Sequence, residues 1–101
     1  MFCFEDELKD VCKIVKYHHE RYDGKGYPEG LKGEEIPLES RILCVADSVD
    51  AMMTSRSYKS PKSLEQTITE LIVEKGKQFD PKIADIMVKI LLKTKTTQEN
   101  I

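Results

Sequence analysis

The sequence contains two histidines, His18 and His19, and they are adjacent. Imidazole nitrogens bind zinc, iron, manganese and similar cations, so the pair is a candidate metal site. The pair falls at the C-terminal end of a predicted helix, where adjacent side chains point roughly 100° apart. We therefore expect the two rings to lie on different faces of the helix, from which they could still serve neighbouring metal ions. The alternative is a pair of exposed or capping histidines, because cationic side chains favour helix C-termini.

The segment after the histidines is rich in glycine, tyrosine and proline. Gly24 and Gly26 allow backbone angles that are closed to other residues, so the chain can turn back over the histidine end of the helix. Tyr27 is predicted to be extended, because the following Pro28 disfavours helical geometry at the preceding residue. Glycines and prolines recur through residues 23–37 and exclude a helix interior there. A loop of this length is usually functional or disordered.

A carboxylate and two cations further along the chain are the next candidates. Asp47 lies in an otherwise apolar stretch, where an isolated carboxylate is costly unless it is paired or bound to a metal. The alternative is a helix carboxylate that faces solvent or Arg41. Asp50, one turn later, is expected to hydrogen-bond a ligand or a loop amide. Arg56 and Lys59 are close enough in sequence to point into one cleft and bind phosphate oxygens, or they are two solvated loop cations.

Two helices are predicted to position most of these residues. The first runs from about Glu5 to Tyr22, and its apolar residues follow helical spacing: Leu8, Val11, Cys12 and Val15. The second begins near residues 37–40, ends at about Met53 and should be largely buried, because apolar residues occupy most of its circumference.

Two further helices are predicted from their capping signals. Ser63 followed by Gln66 is a capping box that opens the third helix, and Gly76 ends it. Asp80 before Pro81 is an N-cap followed by a first-turn proline, which opens the fourth helix. No segment has a convincing strand period, although a small ladder near residues 30–36 is possible. The predicted fold class is all-α.

Length and composition limit the chain to one small globular domain. It has 101 residues, of which 40% are hydrophobic and 34% are charged, and its net charge is −2. No apolar run approaches the roughly 20 residues that span a bilayer. This balance gives no reason to expect DNA or membrane binding, and the acidic N-terminus is unlike a signal peptide, so a cytoplasmic location is expected. The three cysteines are too few and too scattered for a disulfide framework and are predicted to be reduced.

Four segments, in order along the chain, resemble the HD-GYP domain family. Residues 17–28 match the signature HHExxDGxGYP at every defined position. Residues 41–51 resemble the family's RI-x-x-VAD-x-x-DA helix, residues 56–59 its R-x-Y-[RK] segment, and residues 76–81 its G-x-x-FDP turn. The resemblance implies that residues 1–93 are the C-terminal part of an HD-GYP-like domain, followed by a polar tail over residues 94–101.

The resemblance also implies a fold, a reaction and a set of site residues. The fold would be a partial HD-domain-like bundle of about four helices with a long Gly/Pro-rich loop after the first. The reaction would be metal-dependent hydrolysis of cyclic di-GMP or a related cyclic dinucleotide, with Fe or Mn as the metal. The family's pattern assigns the metal to His18, His19 and Asp47, the substrate phosphates to Arg56 and Lys59, and a supporting role to Glu20, Asp23, Gly24, Gly26, Tyr27, Pro28 and Asp50. Glu20 is expected to bond to Arg21, to Lys25 or to the loop backbone.

The sequence departs from the family in one respect that bears on activity. The family takes further metal ligands from an earlier helix with a His-Asp pair, which two adjacent histidines cannot supply. We therefore expect the chain alone to bind metal weakly, to turn over little or no substrate, and to self-associate through uncovered apolar helix faces. The alternative is a non-catalytic interaction module that uses the GYP loop to bind a partner such as a diguanylate-cyclase domain.

Overall fold

The computed structural model describes residues 6–55 and 60–99. Four α-helices make up most of these ranges: α1 (Asp6–Lys16), α2 (Leu38–Met53), α3 (Leu64–Glu74) and α4 (Pro81–Glu99). One 3₁₀ turn covers Gly33–Glu35, and the described residues form two isolated β-bridges but no β-strand. The predicted all-α class with four helices is confirmed. None of the helices in these ranges combines the length and the apolar character that a bilayer-spanning helix needs.

The core is formed where α2, α3 and α4 meet. Val45 of α2, Leu71 of α3 and Ala84 of α4 are fully buried, and Phe79 closes the core from the turn between α3 and α4. Burying apolar side chains of this size is the main favourable contribution to folding. The core thereby fixes α2, which carries Asp47, relative to the α3–α4 turn.

The first helix is shorter than its apolar stripe predicts. It was expected to run to about Tyr22, but α1 ends at Lys16 and residues 17–19 form a turn. In this turn the backbone N–H of His18 donates to Val15 O at 3.3 Å. This i→i−3 bond replaces the i→i−4 pattern of the α-helix and ends it. The apolar stripe stops at Val15, so it contains no information about the turn that follows it.

The prediction that α2 is largely buried was wrong. Its buried residues are Ser40, Cys44, Val45 and Met52, whereas an opposite stripe is exposed: Leu38, Ile42, Ala46 and Met53. The first helix is similar, because Leu8 and Val11 are half exposed. Apolar periodicity shows which faces tend to be covered, but the elements that cover them must also be present, and the described helices cover only one side of α2.

The capping predictions for α3 and α4 are confirmed. Ser63 Oγ accepts from Gln66 N–H at 3.1 Å, and Gln66 Oε1 accepts from Ser63 N–H at 2.8 Å. Asp80 Oδ1 accepts from the N–H groups of Lys82 and Ile83 at the start of α4. These contacts satisfy amides that have no partner inside their own helix.

One contact within the bundle joins residues 39 positions apart. Arg41 of α2 donates to Asp80 Oδ2 at 2.6 Å, and both side chains are almost fully buried, at 14% and 5% exposure. Arg41 also donates from Nε to Ile36 O at 2.9 Å, at the end of the long loop. This pair therefore connects α2, the loop and the first turn of α4.

The prediction of three reduced cysteines was also wrong in part. Cys44 is a free, buried thiol, but Cys12 is disulfide-bonded. The number and spacing of cysteines indicate disulfide frameworks and CxxC sites. A single disulfide requires only that two Cα atoms lie about 4.4–6.8 Å apart.

Candidate functional site

The two histidines lie side by side in the turn after α1. Their ring centroids are 3.9 Å apart, with an interplanar angle of 41°. The expectation that the rings point to different faces of a helix was wrong, because α1 ends at Lys16 and the 100° rotation per residue does not apply beyond it. The turn therefore brings both imidazoles to one place.

The orientation of the His18 ring is fixed by a backbone contact. Its Nδ1 forms a short hydrogen bond with the carbonyl oxygen of Val15. A carbonyl oxygen can only accept, so Nδ1 carries the hydrogen and Nε2 is the nitrogen available to a metal ion. Histidines that bind metals usually donate their second ring N–H to a carbonyl or carboxylate in this way.

A small cavity brings together the three residues that the family pattern assigns to the metal. Its volume is about 70 Å³, and His18 and His19 from the turn and Asp47 from α2 all line it. The other lining residues are Glu20, Arg21, Cys44, Ser48 and Gln78. Within residues 6–55 and 60–99, however, no three His, Cys, Asp or Glu side chains are close enough together to hold a metal ion. The donors are of the right kind for a divalent cation, but they do not form a closed site.

Asp47, which lines this cavity, is an exposed residue. The alternative to a metal ligand was a carboxylate that faces solvent or Arg41. No contact with Arg41 is observed, because Arg41 donates hydrogen bonds to Asp80 and to Ile36 O. The Asp47 carboxylate also acts on its neighbour one turn earlier. Burial, and secondly the charge of Asp47, raise the pKa of the Cys44 thiol.

Glu20 holds the loop that follows the histidines. Its side chain is buried, with 2% exposure, and its two carboxylate oxygens accept from the backbone N–H groups of Glu29 at 2.7 Å and Leu31 at 2.8 Å. Among the partners considered for Glu20, the structure therefore shows the loop backbone. Because the carboxylate accepts hydrogen bonds from two backbone N–H groups, Glu20 links the start of the loop to its far side.

Asp23 makes a second set of contacts in the same loop. Arg21 donates to both of its oxygens, at 3.2 and 3.1 Å, and the Lys25 N–H donates to Oδ1 at 3.0 Å. The hydrogen bond from Arg21 is the main reason that the pKa of Asp23 lies below its usual value, although partial burial opposes the shift. The next residue, Gly24, adopts a φ of +83°, a conformation that favours glycine.

Tyr27 lies over one of the histidines. Its ring stacks on that of His19, with centroids 5.1 Å apart and an interplanar angle of 20°, and its N–H donates to His19 O at 3.4 Å. The Tyr27–Pro28 peptide bond is cis. A Cβ atom added at Gly26 would lie less than 3.0 Å from backbone atoms of residues 19–21. Only glycine therefore allows this close approach of the loop to the histidine turn.

Asp50 does not line the cavity. Asp50 is exposed on α2 and its Oδ1 accepts from Thr54 Oγ1 at 3.2 Å, so its observed partner is neither a ligand nor a loop amide. Arg56 and Lys59 lie outside the described residues.

Several lining residues were not predicted from the sequence. Cys44 precedes Asp47 by three positions, so helical spacing alone could have placed it on the same face of α2. Gln78 belongs to the turn between α3 and α4, which is bound to the loop by Tyr22 N–H to Gln78 O at 3.2 Å and Asp23 N–H to Lys77 O at 2.8 Å. No local sequence signal indicates contacts over more than 50 positions.

A larger groove, with a volume of about 790 Å³, also reaches the histidines. It is lined by α1, by both histidines and by Pro28. Its surface is mainly apolar, and its charged lining residues are Lys9, Asp10, Lys13 and Lys16.

The chain is similar to known proteins in sequence and in structure. Residues 3–83 match the family described as HD domain. The chain belongs to the HD domain family. The curated relatives that the chain matches include phosphodiesterases of cyclic di-GMP and of 3′3′-cGAMP, which supports the HD-GYP type within this family.

Two of these curated relatives show how similar they are to this chain. The cyclic di-GMP phosphodiesterase response regulator RpfG of Xanthomonas campestris is 47% identical over 76 residues, which cover 75% of this chain and 20% of the relative. A cyclic di-GMP phosphodiesterase of Thermotoga maritima is 46% identical over 78 residues, covering 77% of this chain and 21% of the relative. The chain thus spans about a fifth of the length of these curated relatives.

A solved structure shows the same arrangement of the HD domain helices. The cyclic GMP-AMP-specific phosphodiesterase V-cGAP3 of Vibrio cholerae superimposes with a TM-score of 0.67 at 32% identity, over 82% of this chain and 18% of that protein. The match supports the predicted HD-domain-like bundle.

Proposed function

We propose that this HD-GYP-type chain contributes the histidine turn and the Asp47 helix to a metal-dependent phosphodiesterase of cyclic dinucleotides. The observation that carries the proposal is that Asp47 lines the same cavity as the adjacent His18 and His19, although it lies 28 positions after His19 in the sequence. The names of the relatives support the substrate class, because they include enzymes for cyclic di-GMP and for 3′3′-cGAMP.

The proposed metal is a divalent ion, Fe or Mn. Two imidazoles and a carboxylate suit such cations, and the Val15 carbonyl already orients His18 so that Nε2 is available. A divalent ion at a phosphodiester site supplies Lewis-acid stabilisation of charge on the phosphoryl oxygens. The chain's own residues would hold the ion through His18, His19 and Asp47, and Arg56 and Lys59 are proposed to bind the substrate phosphates.

The 101-residue chain by itself is proposed to be a weak metal binder without appreciable turnover. The sequence has two histidines, and the described residues include no group of three side chains close enough to hold an ion. Two-metal hydrolysis requires two ions about 3.5–4 Å apart, each with its own ligands. Further ligands must therefore come from residues other than the three named here.

Metal content is the experiment that tests this assignment. The protein would be purified anaerobically with iron and manganese supplied, and bound metal measured by elemental mass spectrometry. We expect the bound metal to fall in a His18→Ala, His19→Ala double variant and in Asp47→Asn. Asp50→Asn is the matched control, because Asp50 is an exposed carboxylate on the same helix that does not line the cavity. Measurable metal that is bound equally by all four proteins would contradict the assignment.

Self-association is proposed as a second property of the chain. Large apolar side chains that are about half exposed occur on all four helices: Leu8, Val11, Leu38, Ile42, Ile72, Val73, Ile86, Ile90 and Leu92. Exposed apolar surface of this extent marks interfaces in soluble proteins. We expect light scattering at high micromolar concentration to give a mass above that of one chain, and a monomer there would exclude the proposal.

The alternative function is an interaction module that presents the GYP loop to a partner such as a diguanylate-cyclase domain. The exposure of Tyr27, Pro28 and Glu29 on a loop with many backbone contacts favours it. Capture of such a domain by the chain, lost when the loop is altered, would support this alternative.

A further inference from the structure

We propose that the side chain of Gln78 binds a phosphoryl oxygen in the small cavity that His18, His19 and Asp47 also line. The inference rests on the proposed function for the class of ligand, a phosphate ester. It adds a residue of the turn between α3 and α4 to the candidate site, with the role of a neutral hydrogen-bond donor to the ligand.

The carboxamide of Gln78 is available to a ligand. Gln78 is half-buried and lines the cavity. Within residues 6–55 and 60–99 its side chain makes no hydrogen bond, and its backbone oxygen accepts from the Tyr22 N–H at 3.2 Å. Every buried side-chain nitrogen or oxygen in these ranges has a partner, so the unpartnered carboxamide is open to solvent. Its NH₂ group therefore offers two N–H donors to an oxyanion.

The backbone around Gln78 is held on both sides. Lys77 O accepts from the Asp23 N–H at 2.8 Å, and the Phe79 N–H donates to Glu74 O at 3.3 Å. Phe79 is also buried in the core, with 2% exposure. Only the side-chain torsions of Gln78 therefore remain to be ordered by a ligand, which lowers the conformational cost of binding.

The cavity has the size and polarity of a phosphoryl site. Its volume is about 70 Å³, and all the described residues that line it except Cys44 have strongly polar side chains. One water molecule needs roughly 10–15 Å³, whereas pockets for drug-sized ligands have about 300–1,000 Å³. The cavity therefore has room for a few water molecules or one phosphoryl group, but not for a whole nucleotide.

Arg21 lines the same cavity and favours an anion there. Its Nε and Nη2 donate to Asp23, whereas its Nη1 has no partner within the described ranges. The Asp47 carboxylate acts in the opposite direction, because it repels an anion unless a bound metal ion balances its charge. A fixed donor such as the Gln78 carboxamide can bind a phosphoryl oxygen in either case.

The test follows the binding of inorganic phosphate to the full chain by NMR, in the presence of a chelator so that no metal ion contributes to the affinity. We expect phosphate to shift the side-chain N–H signals of Gln78. The matching signals of Gln66 should stay in place, because its carboxamide belongs to the α3 capping box and does not line the cavity. Phosphate that leaves the Gln78 signals in place overturns the inference.

Three variants determine what the phosphate contacts. Gln78→Leu keeps the size of the side chain but removes its N–H donors, so the affinity should fall roughly 10-fold, as for the loss of a hydrogen bond to a charged group. Lys77→Leu is the matched control, because Lys77 is an exposed cation next to Gln78 that does not line the cavity. Its effect should be smaller, since salt screens exposed charges. Asp47→Asn should strengthen phosphate binding, because it removes a carboxylate that repels the anion.

Urea unfolding checks that the variants fold, and the Gln78 signals of the original chain decide the question if one does not. An affinity that Gln78→Leu leaves unchanged, or that Lys77→Leu lowers more, overturns the inference, as does an unchanged affinity in Asp47→Asn. Phosphate binding that depends on Gln78, combined with metal content that does not depend on the histidines, supports the inference and counts against the metal assignment of the proposed function.

Discussion

Replacement of Glu20 by glutamine tests whether the buried carboxylate holds the signature loop. The carboxylate accepts two backbone N–H bonds, at 2.7 Å from Glu29 and 2.8 Å from Leu31. Glutamine keeps one acceptor oxygen but turns an NH₂ group toward the other amide, so one bond is lost. A hydrogen bond to a charged group contributes about 1.5–3 kcal/mol, and we expect the free energy of unfolding to fall by about that amount.

This loss is large enough to measure without preventing folding. At about 0.05–0.15 kcal/mol per residue, a chain of this length is stable by roughly 5–15 kcal/mol. In a domain of this size each kcal/mol lowers the melting temperature by about 4–8 °C, so a decrease of about 6 °C or more is expected. Urea unfolding gives the free energy, and hydrogen exchange at the amides of Glu29 and Leu31 shows whether the loss is local.

Glu29→Gln is the matched control, since it makes the same chemical change on the same loop. Glu29 forms an exposed ion pair with Lys16 at 3.7 Å, and such pairs contribute about 0–1 kcal/mol. Equal destabilisation by the two variants would refute the reasoning, as would unchanged exchange at the two amides in Glu20→Gln.

Two further predictions concern charged contacts elsewhere in the fold. Asp80→Asn keeps an oxygen for the α4 cap but leaves buried Arg41 without its partner, so urea unfolding should show a loss of about 3–5 kcal/mol, against less than about 1 kcal/mol for Asp85→Asn in an exposed pair. The pair of Arg21 and Asp23 should stabilise the fold above the ordinary carboxyl pKa near 3.8 and lose this effect as the pH falls through the lower pKa of the folded state. The difference in unfolding free energy between the original chain and Asp23→Asn should therefore shrink below about pH 4, and a difference that is constant from pH 7 to pH 2 would contradict this.

Features that depend on neighbouring residues were predicted well from the sequence. The Ser63–Gln66 capping box and the Asp80 cap involve residues two to three positions apart, so residue type and spacing contain the necessary information. The all-α class followed in the same way from the 3.6-residue apolar period. The signature loop was recognised from its residue types, but its contacts with Lys77 and Gln78 were not.

Features that depend on distant contacts were not predicted. The spacing of the apolar residues in α1 does not show where the helix gives way to the turn that contains the His18 N–H to Val15 O bond. The side-by-side arrangement of His18 and His19 could therefore not be predicted from it. The burial of α2 was overestimated because the period does not show which elements cover a face. The pairing of Arg41 with Asp80 spans 39 positions and has no local signal at either residue.

The bonds between the signature loop and the α3–α4 turn have a consequence for local unfolding. Tyr22 and Asp23 donate to Gln78 and Lys77, and Arg41 ties the end of the loop to Asp80. Segments linked in this way open as one cooperative unit, so their amides should exchange with solvent at a common rate. The loop is therefore not a separate lid on the histidines. Its release would require the first turn of α4 to separate from α2, and the histidine end of the molecule should share the stability of that helix junction.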